Sequence, residues 1–93
     1  MQVKEKFNHW LPVLLKTDGV TLGNHIYYKS PNPPHQLKKH ELKHVDQYSE
    51  RGIAIFLFLY LVEYCIGRLR GLDHQQAYLN ISFEVEARKA EHE

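Results

Sequence analysis

The sequence predicts a small α+β domain, mainly helical, in which a β-ribbon precedes a motif-bearing helix, an apolar backing helix and a C-terminal glutamate helix. Three observations predict this class. No proline or glycine interrupts His35 to Arg51, the stretch from Ile53 to Val62 is entirely apolar or aromatic, and Gly23-Asn24 lies among β-branched and aromatic residues. With 93 residues the chain can bury one modest core, so we expect residues 1–93 to form a single domain.

The amino-terminal third is predicted to contain one short helix and a hairpin. Apolar residues between Phe7 and Leu15 recur at helical spacing, although Pro12 limits the helix because a proline in a helix interior removes a hydrogen bond. Gly23-Asn24 suits the positive φ values of a tight turn between two strands within Val20 to Lys29. The prolines of residues 30–34 then predict a rigid loop.

Two long helices are predicted in the middle of the chain. The first runs from His35 to Arg51 and should end at Gly52 in the left-handed conformation. The second runs from Ile53 to Arg70, and its apolar run is shorter than the roughly 20 residues of a membrane span. We therefore expect a buried core helix. Because so small a domain cannot cover it on all sides, part of it should face a second copy or a membrane surface.

Two short helices are predicted at the carboxyl end. Asp73 and Gln76 have the spacing of a capping box and should begin the first. Asn80 or Ser82 offers a cap for the second, which is expected to begin near Phe83.

Composition excludes several classes of function. The formal net charge of +1 argues against a surface for nucleic acid. Cys65 is the only cysteine, so it cannot form an intrachain disulfide or a cysteine-based zinc ribbon, and we expect it to be a small buried hydrophobe. The first residues lack the continuous apolar segment of a signal peptide, which predicts a cytoplasmic protein.

The strongest chemical signal is His40-Glu41-Leu42-Lys43-His44. On a helix, His40 and His44 project from one side one turn apart, so both imidazoles can reach a single metal ion. Glu41 is rotated away from them, where it can reach a water molecule at the metal. The motif therefore predicts two ligands and one general base.

A third ligand is required, because a catalytic zinc ion usually has three protein ligands and one open position. The downstream carboxylates are candidates. The other histidines are candidates as well, and they are His9, His25, His35, His74 and His92. The best candidate is the segment Glu84-Val85-Glu86-Ala87. A glutamate on a second helix can face the histidine helix, and the small Ala87 permits close approach.

Two segments resemble the minimal gluzincins, or minigluzincins. They are residues 40–48 and residues 77–87, and the ribbon at residues 20–24 fits the same pattern. The resemblance implies a minimal zincin-like domain with a zinc ion bound by His40, His44 and Glu84, and Glu41 as the general base. The E-x-x-A register favours Glu84, with Glu86 as the runner-up. Many relatives have aspartate after the alanine to orient the histidines, whereas this chain has Arg88.

The implied function is hydrolysis of a peptide or protein substrate by metal-activated water. The resemblance also implies that the full chain can be latent, and the tail Lys89 to Glu93 carries Glu91, His92 and Glu93, any of which could approach the metal. The alternative is a catalytically silent metal-binding or protein-interaction module that retains the zinc site.

Two further features of a peptidase site stay open. Tyr78, His74 and Tyr48 are candidate donors to the oxyanion. The strand His25 to Lys29 is expected to be an edge strand that pairs with an extended substrate, or to pack Tyr27 or Tyr28 on the core.

Overall fold

A computed structural model of the chain describes residues 2–93 and has a mainly helical α+β fold, as predicted. The strands are β1 (Lys4–Lys6), β2 (Gly19–Leu22) and β3 (His25–Tyr28). The helices are α1 (Trp10–Leu14), α2 (His35–Arg51), α3 (Ile53–Leu69), α4 (His74–Leu79) and α5 (Ser82–Ala90).

The sheet has three strands in the order β1-β3-β2. The hairpin of β2 and β3 is confirmed, but only Gly23 has a positive φ, of 64°, in its turn. Strand β1, which pairs in parallel with β3, was not predicted because its sequence Lys-Glu-Lys has low strand propensity. With β1 in place, β3 is the central strand. The expectation that His25 to Lys29 forms an edge strand is therefore wrong, and β2 is an edge instead. The alternative is confirmed for Tyr28, which is fully buried in the core.

Helix α1 is shorter than the apolar pattern indicated. The side chain of His9 caps it, because Nδ1 accepts a hydrogen bond of 3.1 Å from the backbone N–H of Leu11. Pro12 lies in the first turn, where a missing N–H costs nothing. Trp10 and Leu14 are exposed, so this helix contributes little to the core.

The predicted helix from His35 to Arg51 is confirmed, and Gly52 ends it with an unexpected geometry. Gly52 has φ 80° and ψ 154°, which is a glycine-only region rather than the left-handed helical one. Gly52 also precedes α3 directly, so the chain bends by 113° between the two helices. Among residues 2–93, no single helix has both the length and the apolar composition needed to cross a membrane.

Helix α3 is mostly exposed, so the prediction of a buried core helix is wrong for most of its length. Only Phe56 and Gly67 are buried, whereas Ile55, Phe58 and Leu61 are exposed. One side of α3 packs on the rest of the domain, and the domain offers too little surface to cover the others. Cys65 also lies on the exposed side, contrary to expectation.

The carboxyl-terminal helices begin differently from each other. The capping box of α4 is confirmed, since Asp73 accepts a hydrogen bond from the backbone N–H of Gln76 and the Gln76 side chain accepts one from that of Asp73. Helix α5 has no side-chain cap from its N-cap residue Ile81, so the prediction of Asn80 or Ser82 as the cap is wrong. Glu63 of α3 instead accepts hydrogen bonds from the backbone N–H and the hydroxyl of Ser82.

Two buried clusters position α2 within the domain. Tyr48 and Phe56 pack with Ile81 and Phe83, which joins α2 to α3 and to the start of α5. On the other side of α2, Val45 packs with two residues of the central strand β3, Ile26 and Tyr28. The histidine motif is therefore carried by a helix that is fixed on both sides.

Candidate metal centre

Two histidines of α2 and one glutamate of α5 meet in the interior. Nε2 of His40 lies 3.0 Å from Oε1 of Glu84, and Nε2 of His44 lies 3.1 Å from the same oxygen. His40, His44 and Glu84 form a group whose potential ligand atoms all lie within 4.8 Å of one another. These three side chains could hold a metal ion.

The outer ring nitrogen of each histidine faces an oxygen. Nδ1 of His40 lies 2.7 Å from Oε2 of Glu91, and Nδ1 of His44 lies 2.8 Å from Oε1 of Gln47. Because these oxygens accept hydrogen bonds, each Nδ1 must carry a proton. Each Nε2 then faces Glu84 either with a second proton, in which case the ring is an imidazolium, or with a lone pair. A single metal ion can replace the Nε2 protons of both histidines, so these three side chains are suitable ligands for a metal ion.

Without a metal ion, opposite charges stabilise this group. Burial lowers the pKa of His40, but its contacts with Glu84 and Glu91 outweigh burial and raise the pKa to about 9. The pKa of His44 is also raised, because hydrogen bonding and attraction to Glu84 outweigh burial. Burial favours the neutral form of Glu84, yet the hydrogen bonds from the two histidines hold its pKa well below the usual range.

A tyrosine holds the second oxygen of Glu84. The hydroxyl of Tyr60 donates a hydrogen bond of 2.6 Å to Oε2, which leaves Oε1 directed at the histidines. Tyr60 lies on the inward side of α3, and burial together with the negative charge of Glu84 raises its pKa, so the hydroxyl keeps its proton. No sequence pattern points to this contact, since Tyr60 lies within an apolar run.

Glu41 is buried beside the group without being part of it. The Thr21 hydroxyl lies 3.2 Å from Oε2 of Glu41 and donates to it. Strand β2 approaches so closely that a Cβ atom on Gly19 would lie 3.1 Å from Oε1. Burial raises the pKa of Glu41, and the two histidines oppose that shift only in part.

A cleft runs past Glu41 on both sides. A cavity of about 720 Å³ lies between strand β2 and helices α3 and α4, with Glu41, His44 and Glu84 in its lining. A second cavity of about 480 Å³ is lined by His40, Glu41 and Glu91. Tyr78 borders both cavities. The candidate metal-binding group is therefore accessible from the surface.

The other proposed ligands lie away from this group. Glu86 is exposed, lies 3.4 Å from Nζ of Lys43 and accepts a hydrogen bond from Gln47, so Glu84 and not Glu86 joins the histidines. Among residues 2–93, the remaining histidines are outside the group: His9, His25, His35, His74 and His92.

The three candidate oxyanion donors differ in their contacts. The Tyr48 hydroxyl donates to the carbonyl oxygen of Thr21, and Nδ1 of His74 lies 2.9 Å from the Tyr64 hydroxyl. Tyr78 alone of the three borders both cavities. Burial and the charges of Glu84 and Glu41 raise its pKa, so it remains a donor.

No protein-family model, curated protein or solved structure matches this chain.

Proposed function

We propose that the chain is a zinc-dependent peptidase of the gluzincin type with a minimal zincin-like fold. The observation that carries the proposal is the convergence of His40, His44 and Glu84 beside the buried Glu41 at the floor of an open cleft. Two imidazoles and one carboxylate are a ligand set of catalytic zinc sites, in which a fourth position stays free.

The residues of the chain have separate roles in this proposal. When bound, zinc supplies a Lewis acid that polarises the scissile carbonyl and brings the pKa of water to about 7. Glu41 takes a proton from the attacking water and passes it to the leaving amine. Thr21 holds Oε2 of Glu41, so Oε1 is left for the proton transfer.

Two surfaces of the cleft suit a peptide. Strand β2 is an edge strand that lines the larger cavity through Gly19, Val20 and Thr21, and its backbone can pair with an extended substrate. Tyr78 is placed to donate a hydrogen bond to the developing oxyanion. Main-chain pairing accepts many side-chain sequences, so the proposed substrate is a peptide or protein segment in extended form.

Zinc content and peptide cleavage, measured together, test the proposal. We expect wild type to bind one zinc ion and cleave a fluorogenic peptide library. Glu41→Ala should keep the zinc ion while cleavage falls about 10²- to 10⁴-fold. Glu84→Ala should lose both, and the matched control Glu86→Ala should keep both.

The same assay separates the alternatives. If the full chain is latent, trimming a terminus should release cleavage. Zinc binding without cleavage by the full or trimmed chains would leave the silent metal-binding or interaction module. A wild-type protein that binds no zinc would contradict both.

A further inference from the structure

The C-terminal tail reaches the metal-binding group from the outside. Oε2 of Glu91 lies 2.7 Å from Nδ1 of His40, whereas the other ring nitrogen of His40 faces Glu84. The tail carboxylate therefore touches the histidine on the side away from the position a metal ion would take.

Helix geometry explains how two glutamates at the carboxyl end of the chain, Glu84 and Glu91, can contact the two ring nitrogens of His40. Glu84, Ala87 and Glu91 are spaced by three and four residues, so they share the face of α5 that packs on α2. Ala87 is fully buried and lets the helices approach closely. Glu91 continues the helical backbone with φ −61° and ψ −23°, which places its Cα atom about two turns beyond that of Glu84.

The position at which the resemblance leads us to expect aspartate holds a residue with a different partner. Arg88 follows Ala87, and its guanidinium donates to the carbonyl oxygen of Leu79 near the end of α4. It cannot accept a hydrogen bond from a histidine. The position at which relatives have aspartate therefore does not orient His40 in this chain.

We propose that Glu91 is a positioning residue of the metal centre, and this inference rests on the proposed zinc site. By accepting the Nδ1 proton of His40, Glu91 fixes the ring orientation and the tautomer, so that the lone pair of Nε2 is directed at the metal. Carboxylates in this role make the imidazole a stronger ligand. Gln47 performs the same task for His44 from within α2.

This role gives the tail an effect opposite to that of a blocking segment. If the tail covered the cleft, removing the Glu91 carboxylate would leave zinc binding intact or tighten it, and cleavage would rise. If Glu91 orients His40, its removal must weaken zinc binding.

The test is the zinc dissociation constant of full-length variants, measured by competition with a chromogenic chelator. We expect Glu91→Ala to bind zinc about 10- to 100-fold more weakly. Glu91→Gln, which still accepts a hydrogen bond, should recover most of this loss. Glu93 is an exposed glutamate of the same tail and provides a matched control. Glu93→Ala should bind zinc within about twofold of wild type. Circular dichroism of the metal-free proteins verifies that each variant is folded.

A second readout separates orientation from a general effect on folding. Cobalt substituted for zinc should give a visible absorption spectrum that changes in Glu91→Ala and returns towards wild type in Glu91→Gln. Equal zinc affinity for wild type and Glu91→Ala would overturn the role of Glu91 while leaving the zinc site intact. A wild-type protein that binds no zinc would overturn the site as well.

Discussion

At the scale of single residues, three glutamates around two histidines have different chemistry because their surroundings differ. Glu84 accepts hydrogen bonds from both histidines and Tyr60, which keeps it ionised. Glu41 has one hydroxyl partner and is buried, so its pKa is raised. Glu91 is partly exposed and contacts only the outer nitrogen of His40. The first environment favours a ligand, the second a base and the third an orienting partner.

The raised pKa of His40 predicts how the stability of the metal-free protein depends on pH. The pKa is about 9 in the folded protein, against about 6.5 unfolded. The folded state therefore holds the proton more tightly, so the stabilisation is complete below about pH 6.5 and is lost as pH rises through about 9. Urea unfolding of chelator-treated protein should show lower stability at pH 9.5 than at pH 6.

Zinc should reverse this trend, because binding displaces protons and becomes tighter as pH rises. The exposed His35 provides the control, and His35→Gln should show the wild-type pH dependence. A metal-free protein that is equally stable at both pH values would show that the histidines and Glu84 are not paired as described.

At the scale of elements, strand β2 connects the sheet to the proposed base. Thr21 donates from one hydroxyl towards both a backbone and a side-chain oxygen of Glu41, at 3.3 and 3.2 Å. Thr21→Val keeps the shape but removes this donor. We expect cleavage to fall by about tenfold, equivalent to about 1.4 kcal/mol, with zinc affinity unchanged. Thr21→Ser should restore cleavage, and a loss of zinc together with cleavage would place Thr21 in the metal site instead.

Helix α3 supports the site through one aromatic residue. Phe56 is 3% exposed, and its ring centroid lies 3.9 Å from that of Tyr48 and 4.5 Å from that of Phe83. Phe56→Ala should therefore lower the free energy of unfolding by about 3–5 kcal/mol. Phe58 is 64% exposed on the same helix, so in the monomer, at concentrations too low for self-association, Phe58→Ala should change the free energy of unfolding by less than about 0.5 kcal/mol. Similar losses in both variants by chemical denaturation would contradict this orientation of α3.

At the scale of the whole molecule, the exposed side of α3 is too apolar for an ordinary surface. Ile55, Phe58, Val62, Cys65 and Leu69 recur every three or four residues, which is the spacing of a helix that packs along another helix. We expect a second copy to cover this side. Sedimentation equilibrium should give a mass above that of the monomer for wild type, and Phe58→Glu should shift it to the monomer with zinc retained.

Two results would contradict a second copy on the exposed side of α3. A wild type that stays monomeric at all concentrations would contradict self-association. Binding of that monomer to liposomes, weakened by Phe58→Glu, would assign the surface to a membrane instead.

Local patterns predicted much of this molecule, but not the contacts between distant elements. His40 and His44 could be predicted as a pair because helical spacing alone brings them together. The residue pattern alone led to the segment Glu84 to Ala87, and the choice of Glu84 over Glu86 came from the resemblance to minigluzincins. Glu91 contacts His40 across 51 residues and Tyr60 contacts Glu84 across 24, and no local pattern specifies such contacts. The pairing of β1 with β3 is also a contact between distant elements, and the low strand propensity of Lys4 to Lys6 gave no local sign of β1.

The most direct test of the zinc site is a crystal structure of the zinc-loaded protein with anomalous scattering recorded at the zinc edge. We predict one peak per chain, about 2.0–2.2 Å from Nε2 of His40, Nε2 of His44 and a carboxylate oxygen of Glu84. Glu41 should lie near the peak without being a ligand. A peak ligated by Glu86, or no peak between these side chains, would contradict the assignment.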